Sequence, residues 1–373
     1  MPKEDIKEDA SLKPVVVVAG TRPEIIKMAP IIRTLKKASL PFLFVHCGQH
    51  FDYNMSQQFI ENLELPAPDY SLKIEASSPG AQTAEIMMKM DQLLEKVESS
   101  IVLVEGDTNT VLSAALAANK RFILIGHVEA GLRSFDLRMP EEHNRRLTDH
   151  ISNYLFAPTE KAKANLVKEN VWGKIHLTGN TAIDAVIQHL PIAEKKSNIM
   201  QKIPFKTFAL ATAHRAENVD DAAFLESFME VFSKSPLPIV YPMHPRTKKR
   251  LQENNMLSQM EKMKNVLILP PLGYLDFLVL MKNCSLIITD SGGIQEEATA
   301  PDIRKRVIVI RLSTERQEAV EAGFAKIVGT NKDNILDAIN EAVEKEEKLP
   351  SVSPFGDGAA AAKTVDVIKK DFS

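Results

Sequence analysis

The chain has 373 residues, of which 44% are hydrophobic and 25% charged, and its net charge is −3. This length predicts two domains, the composition is that of a globular protein without a membrane span, and the charge argues against a nucleic-acid partner. Residues 1–13 mix Lys, Glu and Asp and lack the apolar centre of a secretion signal. We therefore expect a flexible charged leader and a cytoplasmic protein.

Short apolar runs alternate with longer amphipathic runs along the chain. The predicted strands of the first half are 15–19, 42–46, 101–104, 122–128 and 154–157, with helices between them. After a charged stretch at 193–202 the pattern restarts, with predicted strands at 208–212, 239–242, 266–269, 286–289 and 307–311. This alternation predicts two α/β domains with doubly wound parallel sheets, an N-terminal one over 14–190 and a C-terminal one over 191–352.

Ligands of such sheets bind at the carboxyl ends of the strands, and the first predicted strand ends in a candidate anion site. Gly20 permits a tight turn, Pro23 suits the first position of a helix, and Arg22 and Lys27 would favour a negative charge near the free helical N–H groups. An ordinary strand-to-helix turn with a surface arginine explains this segment equally well.

Carboxylates follow the next predicted strands. Asp107 either caps a helix or does acid–base chemistry, and capping is the commoner reason for a lone Asp there. Glu129 closes an apolar strand, where partial desolvation would raise its pKa toward that of a useful general acid or base. Glu141 and Glu142 open a helix, where the dipole favours negative charge whatever the function, so at least one of them is a solvated first-turn residue.

In the second half, His214 and Arg215 follow a strand, where they would either neutralise a diphosphate or lie in a surface turn. The strongest local signal is the run from Leu286 to Glu297, in which an apolar strand leads through a glycine-rich turn into a helix. Backbone N–H groups in such a turn approach phosphate oxygens without interference from a Cβ atom. Glu297, one turn later, is placed to accept hydrogen bonds from both ribose hydroxyls.

Several chemistries lack their motifs. None of the nine histidines has a recognised metal-ligand spacing, no G-x-G-x-x-G sequence indicates a dinucleotide, and no G-x-S-x-G elbow indicates a serine hydrolase. We therefore predict that the protein needs neither a metal ion nor an organic cofactor.

Taken in order, seven motifs resemble those of the non-hydrolysing UDP-N-acetylglucosamine (UDP-GlcNAc) 2-epimerases. They are GTRPE at 20–24, GDT at 106–108, HVEAGLR at 127–133, PEE at 140–142, TGNT at 178–181, HR at 214–215 and DSGGIQEE at 290–297. The resemblance implies a GT-B architecture, with two Rossmann-like domains facing a central cleft and a C-terminal helix, 353–373, returning to the N-terminal domain.

The resemblance also implies roles for individual residues. UDP would lie mainly on the second domain, with Ser291, Gly292 and Gly293 at the diphosphate and Glu297 at the ribose. Phe277 would lie beside the uracil. Further implied residues are the polar shell of Arg22, Lys27, His214 and Arg316 and the sugar-facing carboxylates Asp107, Glu129 and Glu141, with His214 counted among the catalytic candidates.

Bacterial members of this family bind a second UDP-GlcNAc as an activator, and Gln49, His50 and Arg215 match part of that site. Residues 51–54 depart from the bacterial pattern. A second departure is the segment 298–306, which replaces a slightly shorter segment that normally carries Gly-Lys-Pro, and Gln317 stands where proline is usual.

The implied activity is the reversible conversion of UDP-GlcNAc into UDP-N-acetylmannosamine (UDP-ManNAc) through 2-acetamidoglucal and UDP, in a homodimer that supplies N-acetylmannosamine for surface polysaccharide or glycan synthesis. The nearest rival activity is that of a UDP-diacetamido-uronic acid 2-epimerase, and there we expect the second glycine of the Ser-Gly-Gly turn, Gly293 here, to be replaced. A hydrolysing epimerase, a GT-B glycosyltransferase and a catalytically silent UDP-sugar sensor are further rivals. The carboxylate set argues against the sensor.

Overall fold

A computed structural model describes residues 13–49, 53–345 and 348–372 of the chain; most of the predicted leader lies outside these ranges. Two compact units are formed, one by the chain up to Thr181 together with the segment from Ala359, the other by Ala182–Gly358. The chain passes between them earlier than the predicted position after residue 190, because Ile183, Val186 and Leu190 pack into the core of the second unit. It returns later than the predicted 352, since Phe355 lies in the same core.

Among its described residues, the first unit contains seven strands and seven helices. The strands are β1 (Val15–Ala19), β2 (Phe42–Gln49), β3 (Tyr70–Ile74), β4 (Ile101–Glu105), β5 (Leu124–Val128), β6 (Tyr154–Ala157) and β7 (Lys174–Leu177). The helices are α1 (Arg22–Lys37), α2 (Tyr53–Asn62), α3 (Pro79–Leu94), α4 (Asn109–Lys120), α5 (Pro140–Ile151), α6 (Glu160–Lys168) and α16 (Ala360–Phe372). Helix α7 (Thr181–Lys196) begins at the boundary and continues in the second unit. Helix α16 packs against α1, and Tyr154 donates a hydrogen bond to Asp371 at 2.8 Å.

The strands of the first unit form one parallel sheet in the order β3-β2-β1-β4-β5-β6-β7. Its central strands, β1 and β4, are buried along their whole length, as expected for strands covered on both faces by helices. Helix α3 begins where Ser78 accepts a hydrogen bond from the N–H of Ala81, which satisfies one of its free donors.

The second unit contains strands β8 (Ala209–Thr212), β9 (Ile239–Pro242), β10 (Val266–Leu269), β11 (Leu286–Thr289), β12 (Arg306–Val309) and β13 (Ala325–Ile327). They form a second parallel sheet in the order β10-β9-β8-β11-β12-β13. Its helices are α8 (Ala216–Val219), α9 (Ala222–Lys234), α10 (Pro245–Glu253), α11 (Leu257–Met260), α12 (Tyr274–Asn283), α13 (Gly292–Glu297), α14 (Gln317–Glu321) and α15 (Lys332–Glu344), and a 3₁₀ turn covers Ile199–Lys202.

Successive residues of the central strands point to opposite faces of this sheet, so the unit has two hydrophobic clusters. Leu210 and Ile287 contribute to one, with residues of α7 and α12, whereas Ala211 and Ile288 contribute to the other, with residues of α9 and α15. Burial on both faces explains why the predicted strands here are continuous apolar runs.

Two doubly wound parallel-sheet domains of this kind confirm the predicted α/β fold class. The bounds of β2, β4, β5, β8 and β12 differ from prediction by a few residues at most, and β5 begins at Leu124 rather than at 122. Phe122 has φ +58° and is 96% exposed, so it belongs to the turn after α4. Both cysteines, Cys47 and Cys284, are buried free thiols. Within the described ranges, no helix combines the length and apolarity needed to span a membrane.

Candidate active site

The strand order reverses direction next to β1 and β4 in the first sheet and next to β8 and β11 in the second. Such switch points leave a crevice at the carboxyl ends of the strands, where ligands of open α/β sheets bind. The turns that leave these four strands carry Gly20, Asp107, His214 and Ser291, respectively. The sequence-predicted residues therefore gather at the topologically favoured position of each unit.

The turn after β1 is held to the turn after β4 by one buried carboxylate. Glu24 accepts hydrogen bonds from the N–H of Gly20 at 2.6 Å, from Thr21 Oγ1 at 2.9 Å and from Thr108 Oγ1 at 2.7 Å. A side chain at Gly20 would place a Cβ atom 2.2 Å from Thr110 Oγ1. Glycine is therefore required here by the close approach of α4, and burial raises the pKa of Glu24 despite these hydrogen bonds.

Lys27, one turn further along α1, contacts two buried carboxyl groups. Its Nζ donates to Glu129 Oε2 and lies 3.2 Å from Glu105 Oε1. Glu129 also accepts a hydrogen bond from Asn180 Nδ2 at 3.2 Å, and its backbone has φ +66°. A left-handed conformation is costly for a non-glycine residue and is typical of functional positions. Lys27 and Glu129, each predicted as a site residue, are thus in direct contact.

Asp107 is tied to helix α5. Its Oδ2 accepts hydrogen bonds from Arg145 Nε, at 3.2 Å, and from Arg145 Nη2. The other arginine nitrogen, Nη1, donates to the fully buried Glu142 at 2.6 Å, and Ser134 donates to the same carboxylate from its N–H and its hydroxyl group. Burial acts against ionisation of Glu142, but these donors hold its pKa below the ordinary value. Glu141, the catalytic candidate on this helix, is instead exposed.

A buried polar network supports the segment that carries Glu129. His127 Nδ1 lies 2.7 Å from Asp149 Oδ1, and its Nε2 lies 2.8 Å from the carbonyl oxygen of Gly106. Arg133 pairs with the other oxygen of Asp149 at 2.7 Å. These contacts connect β5, α5 and the turn that precedes Asp107, so they fix both carboxylate-bearing turns relative to one sheet.

In the second unit, Asp290 organises the turns after β8 and β11. Its Oδ2 accepts hydrogen bonds from the backbone N–H groups of His214 and Arg215, each at 2.9 Å, and His214 Nδ1 lies 3.1 Å from Oδ1. Burial opposes ionisation of Asp290, but the hydrogen bond and charge of His214 hold the pKa of Asp290 below its ordinary value. The His214 side chain remains 40% exposed, so its ring is accessible to a ligand.

Arginines surround a second buried carboxylate. Glu315 accepts from Arg215 Nη2 at 3.3 Å and from Arg311 Nη1 at 2.8 Å. Burial alone would raise the pKa of Glu315, but the charges of Arg316, Arg311 and Arg215 lower it to about 2. Arg316 itself forms an ion pair with the buried Glu296. This cluster brings positive charge to the turn that carries Ser291.

The glycine turn between β11 and α13 leaves open space beside Gly293. Ser291 precedes α13, and its N–H donates to Thr289 Oγ1 at 3.0 Å. A Cβ atom at Gly293 would have no heavy atom within 4 Å, whereas one at Gly292 would lie 2.4 Å from Glu315 Oε1. The space beside Gly293 is therefore open to a ligand.

Two further candidates lie near this turn in sequence. Glu297 is at the end of α13, and its charge, together with burial, raises the pKa of Tyr274. Phe277, in the same helix as Tyr274, packs partly buried against the core.

The remaining candidates are less informative. Arg22 lies at the start of α1, with its guanidinium carbon 5.7 Å from the centre of the Phe59 ring. Gln49 ends β2, but its side chain and all of His50 lie outside the described residues. Within the described ranges, no group of three or more His, Cys, Asp or Glu side chains is arranged to hold a metal ion.

The structure also identifies residues to which the sequence alone assigned no role. They are the organisers of the two clusters, namely Glu24, Glu105, Glu142, Arg145, Asn180, Asp290, Arg311 and Glu315. The signal available for Glu105 and Asp290 was a charged residue at the end of an apolar strand, which predicts proximity to the site.

Comparison with known proteins agrees with this geometry. Residues 33–369 match the family model described as UDP-N-acetylglucosamine 2-epimerase. A Methanocaldococcus jannaschii protein named UDP-N-acetylglucosamine 2-epimerase is 44% identical over 94% of this chain and 98% of its own. The crystal structure of the M. jannaschii UDP-GlcNAc 2-epimerase in complex with UDP-GlcNAc and UDP has a TM-score of 0.86, covering 96% of this chain and 99% of that one. A Pseudomonas aeruginosa UDP-2,3-diacetamido-2,3-dideoxy-D-glucuronate 2-epimerase is 35% identical over 95% of this chain and 99% of its own.

Proposed function

The chain belongs to the UDP-N-acetylglucosamine 2-epimerase family, and we propose that it interconverts UDP-GlcNAc and UDP-ManNAc without hydrolysing either. The observation that carries this proposal is the pair of switch-point clusters. The first unit presents carboxyl groups at the ends of β4 and β5, and the second presents an open glycine turn beside three arginines. The first set suits proton transfer, and the second suits a nucleoside diphosphate.

The chemistry of the sugar dictates the order of steps. The C2 proton of UDP-GlcNAc is not adjacent to a carbonyl group, so its direct removal would give an unstabilised carbanion. Breaking the C1–O bond sends that electron pair to the β-phosphate of UDP and gives C1 positive character. A carboxylate then takes the C2 proton, and the C2–H electron pair forms the C1=C2 bond of 2-acetamidoglucal. Protonation of C2 from the opposite face and re-addition of UDP at C1 give UDP-ManNAc.

Two acid–base groups, one for each face of C2, are the minimum for this route. Glu129, Asp107 and Glu141 are the candidates. Glu129 is favoured because it is buried and held by Lys27 and Asn180, so its carboxylate has a fixed orientation. Asp107 is ion-paired to Arg145 and keeps 30% of its side chain exposed, which leaves it accessible to a substrate. A positioned acid or base contributes about 10²–10⁴-fold in rate.

The leaving group needs stabilisation as its negative charge develops. The Ser291 hydroxyl group and the backbone N–H groups of Gly292 and Gly293 are proposed to bind the diphosphate, with Arg316 supplying positive charge and the ring of His214 a further contact. Donors that are already oriented before the reaction stabilise such charge without reorganisation. The hydrogen bonds that Asp290 accepts from the His214 segment and the contacts of Glu315 with the arginines are the supporting evidence for this preorganisation. Glu297 is proposed to bind the ribose and Phe277 the uracil.

The test is incubation with UDP-GlcNAc in D₂O, followed by NMR of the products. We expect UDP-ManNAc with deuterium at C2, and a small amount of 2-acetamidoglucal with free UDP after long incubation. Free N-acetylmannosamine as the main product would indicate a hydrolysing enzyme. Faster turnover of a UDP-diacetamido-uronic acid would assign the chain to the specificity of its P. aeruginosa relative, and no reaction with either sugar would leave a binding protein.

Variants then test the assignment of the carboxylate. Glu129→Gln keeps the shape but removes the base, so kcat should fall by about 10² or more while the affinity for UDP is retained. Glu98→Gln is the matched control, because Glu98 is a carboxylate of the same unit whose side chain is 83% exposed. A fully active Glu129→Gln protein would remove Glu129 from the mechanism without touching the overall reaction.

A homodimer in the cytoplasm, with UDP-GlcNAc, UDP-ManNAc and UDP as its small-molecule partners, completes the proposal. Light scattering after size-exclusion chromatography tests the dimer, since it separates a mass near 41.5 kDa from twice that mass. Activation by a second UDP-GlcNAc would give a sigmoidal dependence of rate on substrate concentration, and a hyperbolic dependence would argue against that use of Gln49, His50 and Arg215.

A further inference from the structure

Glu105, the last residue of β4, is a buried carboxyl group next to the proposed base that the mechanism does not use. Only 2% of the residue is exposed. Lys27 Nζ lies 3.2 Å from its Oε1, yet Oε1 accepts no hydrogen bond, whereas the same ammonium donates to Glu129 Oε2. One ammonium therefore lies within ion-pair distance of two carboxyl groups and is directed at one of them.

The charged groups around Glu105 come from each neighbouring element. Helix α1 contributes Lys27 and Glu24, and the residue after β5 contributes Glu129, all of which act electrostatically on Glu105. Among these groups, the carboxyl groups of Glu24, Glu105 and Glu129 thus outnumber the positive charge of Lys27.

Simultaneous ionisation of Glu105 and Glu129 beside Lys27 is unfavourable. Two negative charges beside the same ammonium repel each other, and each also loses hydration on burial. Sharing one proton removes that repulsion, as in other close carboxyl pairs. Glu129 is the better anion, because it accepts hydrogen bonds from Lys27 and Asn180. Burial raises the pKa of Glu105 well above its usual range, Lys27 opposes this, and Glu129 adds to it.

We propose that Glu105 is a positioning residue for Glu129: it carries a proton at neutral pH and so leaves Lys27 bound to Glu129, and on ionising at alkaline pH it draws Lys27 away. The inference rests on the proposed function of Glu129. Ionisation of Glu105 would change the geometry of Glu129 and leave the nucleotide-binding turn unchanged. We therefore expect it to change kcat rather than KM.

The experiment compares the parent protein with Glu105→Gln, Glu105→Asp and the exposed control Glu98→Gln over neutral to alkaline pH. Gln resembles a carboxyl group fixed in its neutral form. In Glu105→Gln we expect the alkaline loss of kcat to move up by about one pH unit or more, kcat at neutral pH to fall by no more than about tenfold, and KM for UDP-GlcNAc to stay within about twofold. Glu105→Asp, which can still ionise, should retain the alkaline limb.

Infrared spectra provide a readout that needs no activity. The parent at neutral pH should show the band of a protonated carboxyl group that is missing from Glu105→Gln, retained in Glu98→Gln, and lost from the parent as the pH rises through its alkaline limb. A parent spectrum without a protonated carboxyl group at neutral pH would overturn the inference even if Glu105→Gln failed to fold. So would identical pH profiles of kcat in the parent and Glu105→Gln. If the parent epimerised nothing, the proposed function would fail while the infrared comparison still decided the protonation of Glu105.

Discussion

Replacing Gly293 by Val tests the nucleotide site with little disturbance of the protein. A Cβ atom there meets no heavy atom within 4 Å, and the residue is not in the left-handed conformation that side chains avoid. Glycine and valine differ by only a few tenths of a kcal/mol in helix propensity. The variant should therefore fold with nearly the stability of the parent, and a loss of affinity would report blocked approach of the ligand.

The expected loss follows from the hydrogen bonds at risk. A hydrogen bond to a charged group contributes about 1.5–3 kcal/mol. If the valine side chain prevents two backbone N–H groups from reaching the diphosphate, the cost is about 3–6 kcal/mol, which is roughly a 10²–10⁴-fold rise in Kd. Gly292 is unsuitable for this test, because a Cβ atom there would displace Glu315 from its arginine partners.

Isothermal titration calorimetry with UDP measures the affinity, and thermal unfolding followed by circular dichroism checks the fold. Gly80→Val is the matched control, since Gly80 also has open space around its Cβ position and lies near the start of α3 in the first unit. A Gly293→Val protein that bound UDP within about threefold of the parent would refute the assignment of this turn to the diphosphate.

Three further predictions concern charge and cofactors. Lys27→Met should lower the free energy of unfolding by about 3–5 kcal/mol, because it leaves buried carboxyl groups without their ammonium group. Lys13→Met removes an exposed ion pair and should lower the free energy of unfolding by less than about 1 kcal/mol. Equal effects of the two substitutions in denaturant titrations would contradict this prediction. Burial raises the pKa of Glu105 in the folded chain, so above about pH 4.3 the unfolded chain loses a proton that the folded chain keeps. Stability from this group then falls with rising pH by up to about 1.4 kcal/mol per unit until the folded pKa is reached, and Glu105→Gln should lack that slope in denaturant titrations between pH 5 and 8. EDTA should leave the rate of epimerisation unchanged, since the proposed steps transfer only protons and UDP; lost activity that a divalent ion restored would contradict this.

The fold was predictable where strands are buried on both faces. Predicted strands β1, β6, β9 and β11 have the bounds seen in the structure. So does β10, an edge strand with three half-buried residues, because all four of its residues are apolar. The strands that prediction missed, β3, β7 and β13, are all edge strands, and each has partly exposed residues. An edge strand needs no continuous apolar run, because one of its sides has no neighbouring strand and its faces are only partly covered, so its sequence resembles that of a loop.

The residues of the candidate site were predictable from their position after apolar strands, but their partners were not. Lys27 and Glu129 are 102 positions apart, and no local pattern indicates that they touch. Glu142 illustrates the limit more sharply. At the start of a helix, Glu141 and Glu142 are equivalent by the helix dipole alone, and only the packing of α5 against the sheet buries Glu142 and leaves Glu141 exposed.

The clusters of the two units differ in the charge state that burial and ion pairing favour for their carboxyl groups. In the second unit, the arginines keep Glu315 ionised, and such a fixed pairing holds the guanidinium groups in place for an anion. In the first unit, burial raises the pKa of Glu24 and raises that of Glu105 well above its ordinary value, so this cluster binds protons more readily than ordinary carboxylates do. An enzyme that removes a proton from one face of a carbon atom and returns it to the other needs proton-binding carboxyl groups at the sugar. It needs fixed positive charge at the leaving group. The sequence places both kinds of group after the central strands, and the long-range contacts decide which carboxyl groups are charged.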